Sequence, residues 1–171
     1  MKIVLVGYMG SGKSTVGKLL AEKLNSNFID LDDYLEAAEQ KAISQIFEEK
    51  GEIYFRKKEY FYLKEILDSK DSFVLSTGGG TPCYGENMDA IITATPNVFY
   101  LNVSITGLVD RLASEKEERP LIADIPDEEL PEFIGKHLFE RSFYYSQAKH
   151  TIFNKDRDAT LLVEDIVDQL V

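Results

Sequence analysis

Between residues 7 and 15 the chain reads Gly-Tyr-Met-Gly-Ser-Gly-Lys-Ser-Thr, which matches the pattern G-x-x-x-x-G-K-[ST]. A strand-like apolar run, Ile3 to Val6, precedes this stretch, and a helix-like run, Thr15 to Leu24, follows it. A glycine-rich turn in this setting lets several backbone N–H groups converge on a polyphosphate. The stretch therefore predicts a phosphate-binding loop (P-loop) for a nucleoside triphosphate.

The P-loop pattern also assigns individual residues. Lys13 is expected to reach the outer phosphates, and the hydroxyl of Ser14 is expected to ligate Mg²⁺. The predicted ATP-binding residues of the loop are Gly10, Ser11, Gly12, Lys13, Ser14 and Thr15. The alternative is a glycine-rich turn without a ligand, but such a turn would not require Lys and Ser at the start of the helix.

Length and composition indicate the class of protein. The chain has 171 residues, of which 44% are hydrophobic and 29% are charged, as expected for one globular domain spanning residues 1–171. No run approaches the roughly 18 apolar residues of a membrane span. The first strand starts directly after Met1, and Cys83 is the only cysteine, so we expect neither a secretory signal nor an internal disulfide. We predict a cytoplasmic protein, with a monomer as the default state.

The charge balance argues against one class of partner. A formal net charge of -11 opposes nucleic acid binding, because a phosphate backbone requires a basic face. The expected partners are therefore small molecules.

Strand and helix signals alternate along the chain. The strands are short, continuous apolar runs, which are typical of parallel strands that are buried on both faces. This alternation predicts an α/β fold in three layers, αβα, with a central five-stranded parallel sheet. The predicted strands are Ile3 to Val6, Asn27 to Asp30, Phe73 to Ser76, Val98 to Leu101 and Thr151 to Phe153; the final helix is predicted over Ala159 to Leu170.

Two segments interrupt the alternation. The first, Ile43 to Leu67, is a long helical stretch between the second and third strands. The second, Glu115 to Pro131, is rich in charges and proline, and we expect a mobile surface segment there. In a phosphoryl-transfer enzyme these segments would form a substrate-binding insertion and a lid, whereas the alternative for both is ordinary surface decoration.

Acidic residues are concentrated at the end of the second strand. Because alternate residues of a strand point the same way, Asp30 and Asp32 are expected to project to one side at the ligand-binding edge. One carboxylate would serve Mg²⁺ and the other would accept or orient the attacking hydroxyl. Asp33 is better explained as a cap of the next helix.

Three consecutive glycines follow the third strand. Gly78, Gly79 and Gly80 allow an approach to the backbone that side chains would block, so they are expected to form the floor of a substrate site. A plain tight turn is the alternative.

Together these motifs closely resemble the shikimate kinase family over nearly the whole chain. The matching elements are the P-loop, Phe28 to Asp32, Ile46-Phe47 with Gly51-Glu52 and Phe55-Arg56, the three glycines, and Arg119-Pro120-Leu121. The resemblance implies a P-loop kinase fold with a substrate-binding region at about 31–60 and a lid at about 112–126. It also implies transfer of the γ-phosphate of ATP, with Mg²⁺, to the 3-hydroxyl of shikimate.

Roles for single residues follow from the resemblance. It implies that Arg56 and Arg141 grip the substrate carboxylate, that Asp32 and the glycines hold its hydroxyls, and that Asp30 assists Mg²⁺. Catalysis is expected from Asp32, Lys13 and Arg119, of which Arg119 closes over ATP as an internal arginine finger. Arg111 and Arg157 are expected to flank the adenine.

The chain departs from the family pattern at two places. Phe143 stands two residues after Arg141, where family members often carry proline, so we expect a change in local helix geometry rather than in carboxylate binding. The lid is also slightly extended between Arg111 and Arg119.

Two other functions remain open from the sequence. A related kinase for another hydroxy acid, such as gluconate, would share the P-loop, although Arg56 argues against it. A catalytically silent nucleotide-binding module would bind ATP without phosphorylating an acceptor.

Overall fold

The computed structural model describes all 171 residues. The chain forms five strands and seven α-helices, with 3₁₀ turns at Thr81–Cys83 and Lys116–Glu118. The strands are β1 (Lys2–Val6), β2 (Asn27–Asp30), β3 (Phe73–Ser76), β4 (Val98–Val103) and β5 (His150–Asn154). The helices are α1 (Lys13–Lys23), α2 (Leu31–Glu39), α3 (Ile43–Asp68), α4 (Asn87–Ala94), α5 (Ile105–Ala113), α6 (Leu130–Tyr145) and α7 (Ala159–Val167).

The strands form one parallel sheet in the order β2-β3-β1-β4-β5. The prediction of a five-stranded parallel sheet is confirmed. Strand order reverses at β1, because β3 lies on one side of it and β4 on the other. Parallel sheets bind ligands at such a switch point, outside the carboxyl ends of the strands. The P-loop follows β1 and therefore lies at this point.

Side chains of β1 show how the sheet is covered on both faces. Ile3 and Leu5 pack in one apolar cluster with residues of α1 and α7, such as Leu20. Val4 and Val6 point the other way and enter a larger cluster with residues of α2 to α6. Since alternate residues of a strand face opposite sides, a fully apolar strand requires helices on both faces. The predicted αβα layering is confirmed.

Helix α3 is interrupted at Gly51. The glycine has φ 82° and ψ 173°, which is outside the helical region, so two helical stretches meet there at a kink. A left-handed φ favours glycine because other residues meet a steric penalty. The long helical stretch expected at Ile43 to Leu67 is therefore present but bent, and the kink precedes Arg56 by about one and a half turns.

The segment expected to lie on the surface is only partly exposed. Within Glu115 to Pro131, the side chains of Ile122 and Leu130 are fully buried in the larger apolar cluster. Because most residues of this segment are charged or polar, its composition predicts exposure and gives no sign that two apolar side chains are buried. The expectation of a wholly superficial segment is therefore wrong at these two positions.

None of the helices combines the length and the apolar character that a bilayer crossing needs.

Candidate active site

The P-loop begins the site at the carboxyl end of β1. Gly12 is the N-cap of α1 and has φ 93°, a conformation that favours glycine. The loop therefore leads directly into a helix N-terminus, where backbone N–H groups lack intrahelical partners. Such N–H groups and the helix dipole attract anionic groups.

Lys13 is buried beneath its own loop. Its Nζ donates hydrogen bonds to the carbonyl oxygens of Gly7, at 2.7 Å, and Tyr8, at 3.0 Å. Burial lowers the pKa of Lys13 from 10.5 to about 8, against the opposing effect of Asp32, and the positive charge of Arg119 adds to the lowering. A phosphate oxygen beside Nζ would favour the charged form of this lysine.

The carboxylate of Asp30 connects the P-loop to the second strand. The Ser14 hydroxyl donates to Asp30 Oδ2 at 2.8 Å. The other carboxylate oxygen accepts hydrogen bonds from the backbone N–H groups of Asp32, at 3.0 Å, and Asp33, at 3.3 Å. Asp30 is therefore the N-cap of α2, and the expectation that Asp33 caps this helix is wrong. The helix starts at Leu31, so the cap has to be the residue before it.

Asp32 lies in the first turn of α2 and not on the strand, contrary to the alternation argument. Its carboxylate still faces the site, because a Cβ added to Gly78 would lie 3.1 Å from Asp32 Oδ1. Burial raises the pKa of Asp32 from 3.8 to about 6, and the nearby charges of Asp30 and Glu59 add to this rise, while Lys13 opposes it. A carboxyl group with such a pKa can accept a proton near neutral pH.

The three-glycine turn brings the remaining groups together. A Cβ on Gly79 would lie 3.1 Å from the Met9 backbone nitrogen and 3.4 Å from Arg141 Nη1. A Cβ on Gly80 would lie 3.2 Å from both Arg141 Nη2 and Arg56 Nη2. At these distances a side chain on either residue would require its neighbours to move by a few tenths of an ångström, so glycine favours the close approach of these groups. The two guanidinium groups converge on the turn, beside Asp32.

Arg56 is held by a buried carboxylate that sequence reasoning missed. Its Nη1 donates to Glu59 Oε1 at 2.8 Å, and the side chain of Glu59 is only 2% exposed. The other oxygen of Glu59 accepts a hydrogen bond from Thr81 Oγ1 at 2.9 Å. Arg56 Nε is buried and has no hydrogen-bond partner. A glutamate three residues after Arg56 on one helix face was the only available signal for this pair.

Tyr145 supports the turn from the other side. Its hydroxyl donates to the Gly79 carbonyl oxygen at 2.5 Å, and its side chain is fully buried. Phe143 does not disturb this arrangement, since α6 runs without interruption from Leu130 to Tyr145 and Phe143 points outward with 68% exposure. No break in the helix accompanies Phe143, and Arg141 and Tyr145 are both directed to the three-glycine turn.

The remaining predicted arginines lie at different distances from the P-loop. Arg111 reaches it, because its Nη1 donates to the Gly10 carbonyl oxygen at 3.1 Å. Arg119 forms two hydrogen bonds with one oxygen of Glu115, at 2.7 and 2.9 Å. Arg157 pairs instead with Asp165 on α7. The structure thus brings Arg111 to the loop and leaves Arg119 and Arg157 engaged with local acids.

Comparison with known proteins identifies the family. A family model described as shikimate kinase matches residues 9–171. The chain belongs to the shikimate kinase family. A shikimate kinase of Flavobacterium psychrophilum is 50% identical over 165 residues, and the match covers 96% of each chain.

Solved shikimate kinases share the fold. The crystal structure of shikimate kinase from Bacteroides thetaiotaomicron superimposes with a TM-score of 0.90 at 37% identity and covers 98% of this chain and 97% of that one. A shikimate kinase from Acinetobacter baumannii in complex with shikimate gives a TM-score of 0.87 at 33% identity, over 98% of this chain and 90% of that one. The P-loop kinase fold expected from the resemblance is therefore confirmed for this member of the shikimate kinase family.

Proposed function

We propose that the chain transfers the γ-phosphate of ATP to the 3-hydroxyl of shikimate, giving shikimate 3-phosphate and ADP in the route to chorismate and the aromatic amino acids. One observation carries the choice of acceptor: two guanidinium groups, Arg56 and Arg141, converge on Gly80 next to Asp32. Membership of the shikimate kinase family supports the same reaction.

The chemistry of the acceptor matches these groups. Shikimate carries one carboxylate and three hydroxyls, so its site needs a fixed cation and hydrogen-bond acceptors. Arg56 and Arg141 supply N–H donors for the carboxylate, and the buried Nε of Arg56 makes no hydrogen bond, since its ion-pair partner Glu52 is 3.8 Å away. Asp32, with the turn of Gly78, Gly79 and Gly80, receives the hydroxyls.

ATP is held by the P-loop in this proposal. The N–H groups from Gly10 to Thr15 surround the phosphates, and Lys13 exchanges its bonds to loop carbonyls for phosphate oxygens. Arg119 leaves Glu115 to reach the transferring phosphoryl group, while Arg111 and Arg157 lie toward the adenine. The lid at 112–126 and the substrate region at 31–60 are the parts of this single domain that enclose the two substrates.

The residues near the P-loop also suit Mg²⁺. The Ser14 hydroxyl and the Asp30 carboxylate are within hydrogen-bond distance of each other, and both are hard oxygen donors of the kind that Mg²⁺ prefers. Ser14 and Asp30 would hold the ion beside the phosphates. When bound, the ion neutralises charge on the β- and γ-phosphates.

Asp32 handles the proton during transfer. Its carboxylate accepts a hydrogen bond from the 3-hydroxyl and takes the proton as the hydroxyl oxygen bonds to the γ-phosphorus. The bond between that phosphorus and the β–γ bridging oxygen breaks, and ADP departs. Lys13 and Arg119 stabilise the charge that spreads over the phosphoryl oxygens, because fixed cations in a closed site need no reorganisation.

An acceptor comparison tests the function. The purified chain is incubated with ATP and Mg²⁺ and with shikimate, gluconate or no acceptor, and products are identified by mass. We expect phosphate transfer to shikimate only. Transfer to gluconate would indicate the related kinase, and ATP binding by calorimetry without transfer would indicate a silent module.

We further propose that the chain works in the cytoplasm as a monomer. Sedimentation equilibrium, with and without both substrates, tests the monomeric state, because a second copy would double the measured mass.

A further inference from the structure

The ring of Tyr84 covers one face of the Arg56 guanidinium. Arg56 Cζ lies 3.6 Å from the centroid of the Tyr84 ring, compared with 5.0 Å from the centroid of the Phe55 ring. A cation at this distance is attracted by the electron-rich ring face, and the flat guanidinium stacks on it well. Tyr84 is therefore a close physical partner of the arginine that we assign to the acceptor.

Hydrogen bonds hold the backbone on both sides of Tyr84. Tyr84 follows the 3₁₀ turn Thr81–Cys83, whose first residue accepts a hydrogen bond at its carbonyl oxygen from the Asn87 side chain at 2.8 Å. The Tyr84 carbonyl oxygen accepts a hydrogen bond from the Asn87 backbone N–H at 3.2 Å. The same turn continues from the glycine floor, since the Cys83 N–H donates to the Gly80 carbonyl oxygen at 2.9 Å. Although its side chain is 36% exposed, Tyr84 is held by the turn that forms the site.

The Arg56 guanidinium is contacted by one residue on an edge and by another on a face. Glu59 holds one edge of the guanidinium, because its carboxylate lies 2.8 Å from Nη1. Tyr84 covers a face, so it opposes rotation of the guanidinium out of its plane. The edge that carries Nε and Nη2 makes no hydrogen bond to a carboxylate: Glu52, which is largely exposed, lies 3.8 Å from Nε, beyond hydrogen-bond distance, and Nη2 points toward Gly80. A carboxylate that approaches in the plane can accept two parallel hydrogen bonds from this edge.

We propose that Tyr84 is a positioning residue for the acceptor: its ring holds the Arg56 guanidinium in the plane in which it meets the acceptor carboxylate. The role rests on the proposed function, in which Arg56 binds that carboxylate. Tyr84 acts through Arg56 and takes no part in phosphoryl transfer. Its loss should therefore raise KM for shikimate and leave kcat and KM for ATP unchanged.

Three variants test this role. Tyr84→Leu removes the ring, Tyr84→Phe keeps it without the hydroxyl, and Tyr60→Leu removes an aromatic ring that borders the same cleft. We expect Tyr84→Leu to raise KM for shikimate by about three- to tenfold, as the loss of a cation–π contact predicts. Tyr84→Phe and Tyr60→Leu should keep the wild-type KM. An unchanged KM in Tyr84→Leu, or an equal rise in Tyr84→Phe, would overturn the proposal.

A shape-matched pair addresses the risk that Tyr84→Leu fails to fold. Phenylalanine and pentafluorophenylalanine at position 84 have nearly the same shape, but fluorination removes the negative charge from the ring face. We expect a higher KM for shikimate with the fluorinated ring and equal midpoints of thermal unfolding. Equal KM values would overturn the proposal. If the wild-type chain phosphorylates shikimate while these variants do not differ, only the role of Tyr84 fails. If the wild-type chain neither binds nor phosphorylates shikimate, the proposed function fails and this inference fails with it.

Discussion

The carboxylate of Glu59 lies 2.8 Å from the Arg56 guanidinium, within an ion pair whose acidic partner is 2% exposed. The glutamate also holds Thr81, directly after the glycine turn, so one buried carboxylate fixes both the cation and the floor of the acceptor site. Buried charges of this kind are costly when a partner is removed, because the remaining charge stays unpaired.

We expect Glu59→Gln to weaken acceptor binding. The amide keeps a hydrogen bond but loses the charge that orients Arg56, so KM for shikimate should rise about tenfold while KM for ATP changes little. The negative charge of Glu59 also raises the pKa of Asp32, and its loss should move the acidic limb of the pH–rate profile to lower pH. Steady-state kinetics across pH measure both effects. Glu48→Gln, at an exposed position on the same helix, is the matched control; equal effects of the two substitutions would contradict this account.

The pH dependence of the reaction rate should follow the ionisation of the Asp32 carboxyl group. Because the pKa of Asp32 is raised to about 6, its carboxylate is protonated and unable to accept a proton at lower pH. We expect kcat/KM for shikimate to rise with pH through about 6, and Asp32→Asn to lower kcat by roughly 10²- to 10⁴-fold, the range of general-base contributions. A profile that is flat between pH 5 and about 8, or an active Asn variant, would remove Asp32 from the mechanism.

Asp32 should also make the stability of the ligand-free protein depend on pH. Its pKa is higher in the folded chain than the ordinary value of 3.8, so the bound proton contributes stability below pH 3.8 that is lost as the pH rises through about 6. Asp32→Asn should therefore increase the free energy of unfolding at pH 8, on the order of 2 kcal/mol, and the gain should shrink toward pH 4.

Denaturant titrations at pH 4, 6 and 8 measure this difference. Asp124→Asn, at an exposed position, is the control, and its effect should not vary in the same way with pH. A gain for Asp32→Asn that stays constant across pH would show that the carboxylate is not destabilised by its ionisation.

ATP binding should be accompanied by proton uptake at Lys13. Burial holds the pKa of this lysine at about 8 in the free protein, so at pH 8 about half of the molecules carry a neutral amine. Phosphate oxygens would raise the pKa, and binding should take up close to half a proton at pH 8. Calorimetry in two buffers with different ionisation enthalpies measures the uptake. The Asp32→Asn variant should take up more than the wild type at pH 8, because loss of the Asp32 charge lowers the pKa of Lys13 in the free protein further. Binding heats that do not depend on the buffer at pH 8 would refute the assignment.

The pair of Arg119 with Glu115 predicts opposite effects for its two members. Arg119→Ala should lower kcat by about 10³-fold, as the loss of an arginine finger does in other phosphoryl-transfer enzymes. Glu115→Gln should release Arg119 and lower KM for ATP no more than about threefold, because partly exposed ion pairs contribute little. Glu118→Gln, at an exposed neighbouring position, is the control for the charge change. Steady-state kinetics with ATP as the varied substrate measure kcat and KM for the three variants. An unchanged kcat in Arg119→Ala would exclude a role for Arg119 as an arginine finger.

Features that depend on neighbouring residues in the sequence could be predicted. The P-loop fixes its own conformation through glycines and a helix start, and continuous apolar strands require helices on both faces, so both were predictable. The cap at Asp30 was assigned to Asp33 because the boundary between strand and helix cannot be read from a run of alternating acids and apolar residues. Asp32 approaches the three-glycine turn from a helix and not from a strand, so its position at this edge was predicted for a reason that was wrong, and its role stays a prediction.

The contacts that could not be predicted from the sequence join residues that are far apart along the chain. Glu59 meets Thr81 across 22 residues, and Tyr145 meets Gly79 across 66, and neither partner is marked by a local pattern. The ion pair of Arg157 with Asp165 on α7 likewise has no local signal, and the place of Arg157 beside the adenine stays a prediction. Ile122 is buried in the larger apolar cluster, whose members come from several strands and helices, and the charged residues around it in the sequence give no sign of this.

The most direct test of the account is the position of the phosphate in the product. The chain is supplied with ATP, Mg²⁺ and shikimate, and the isolated product is examined by NMR for coupling between ³¹P and the ring carbons. The account predicts a single phosphate ester at the 3-hydroxyl, formed only when ATP and the acceptor are both present. An ester at another hydroxyl, or ATP hydrolysis without any ester, would contradict the placement of Asp32, Arg56 and Arg141 around shikimate.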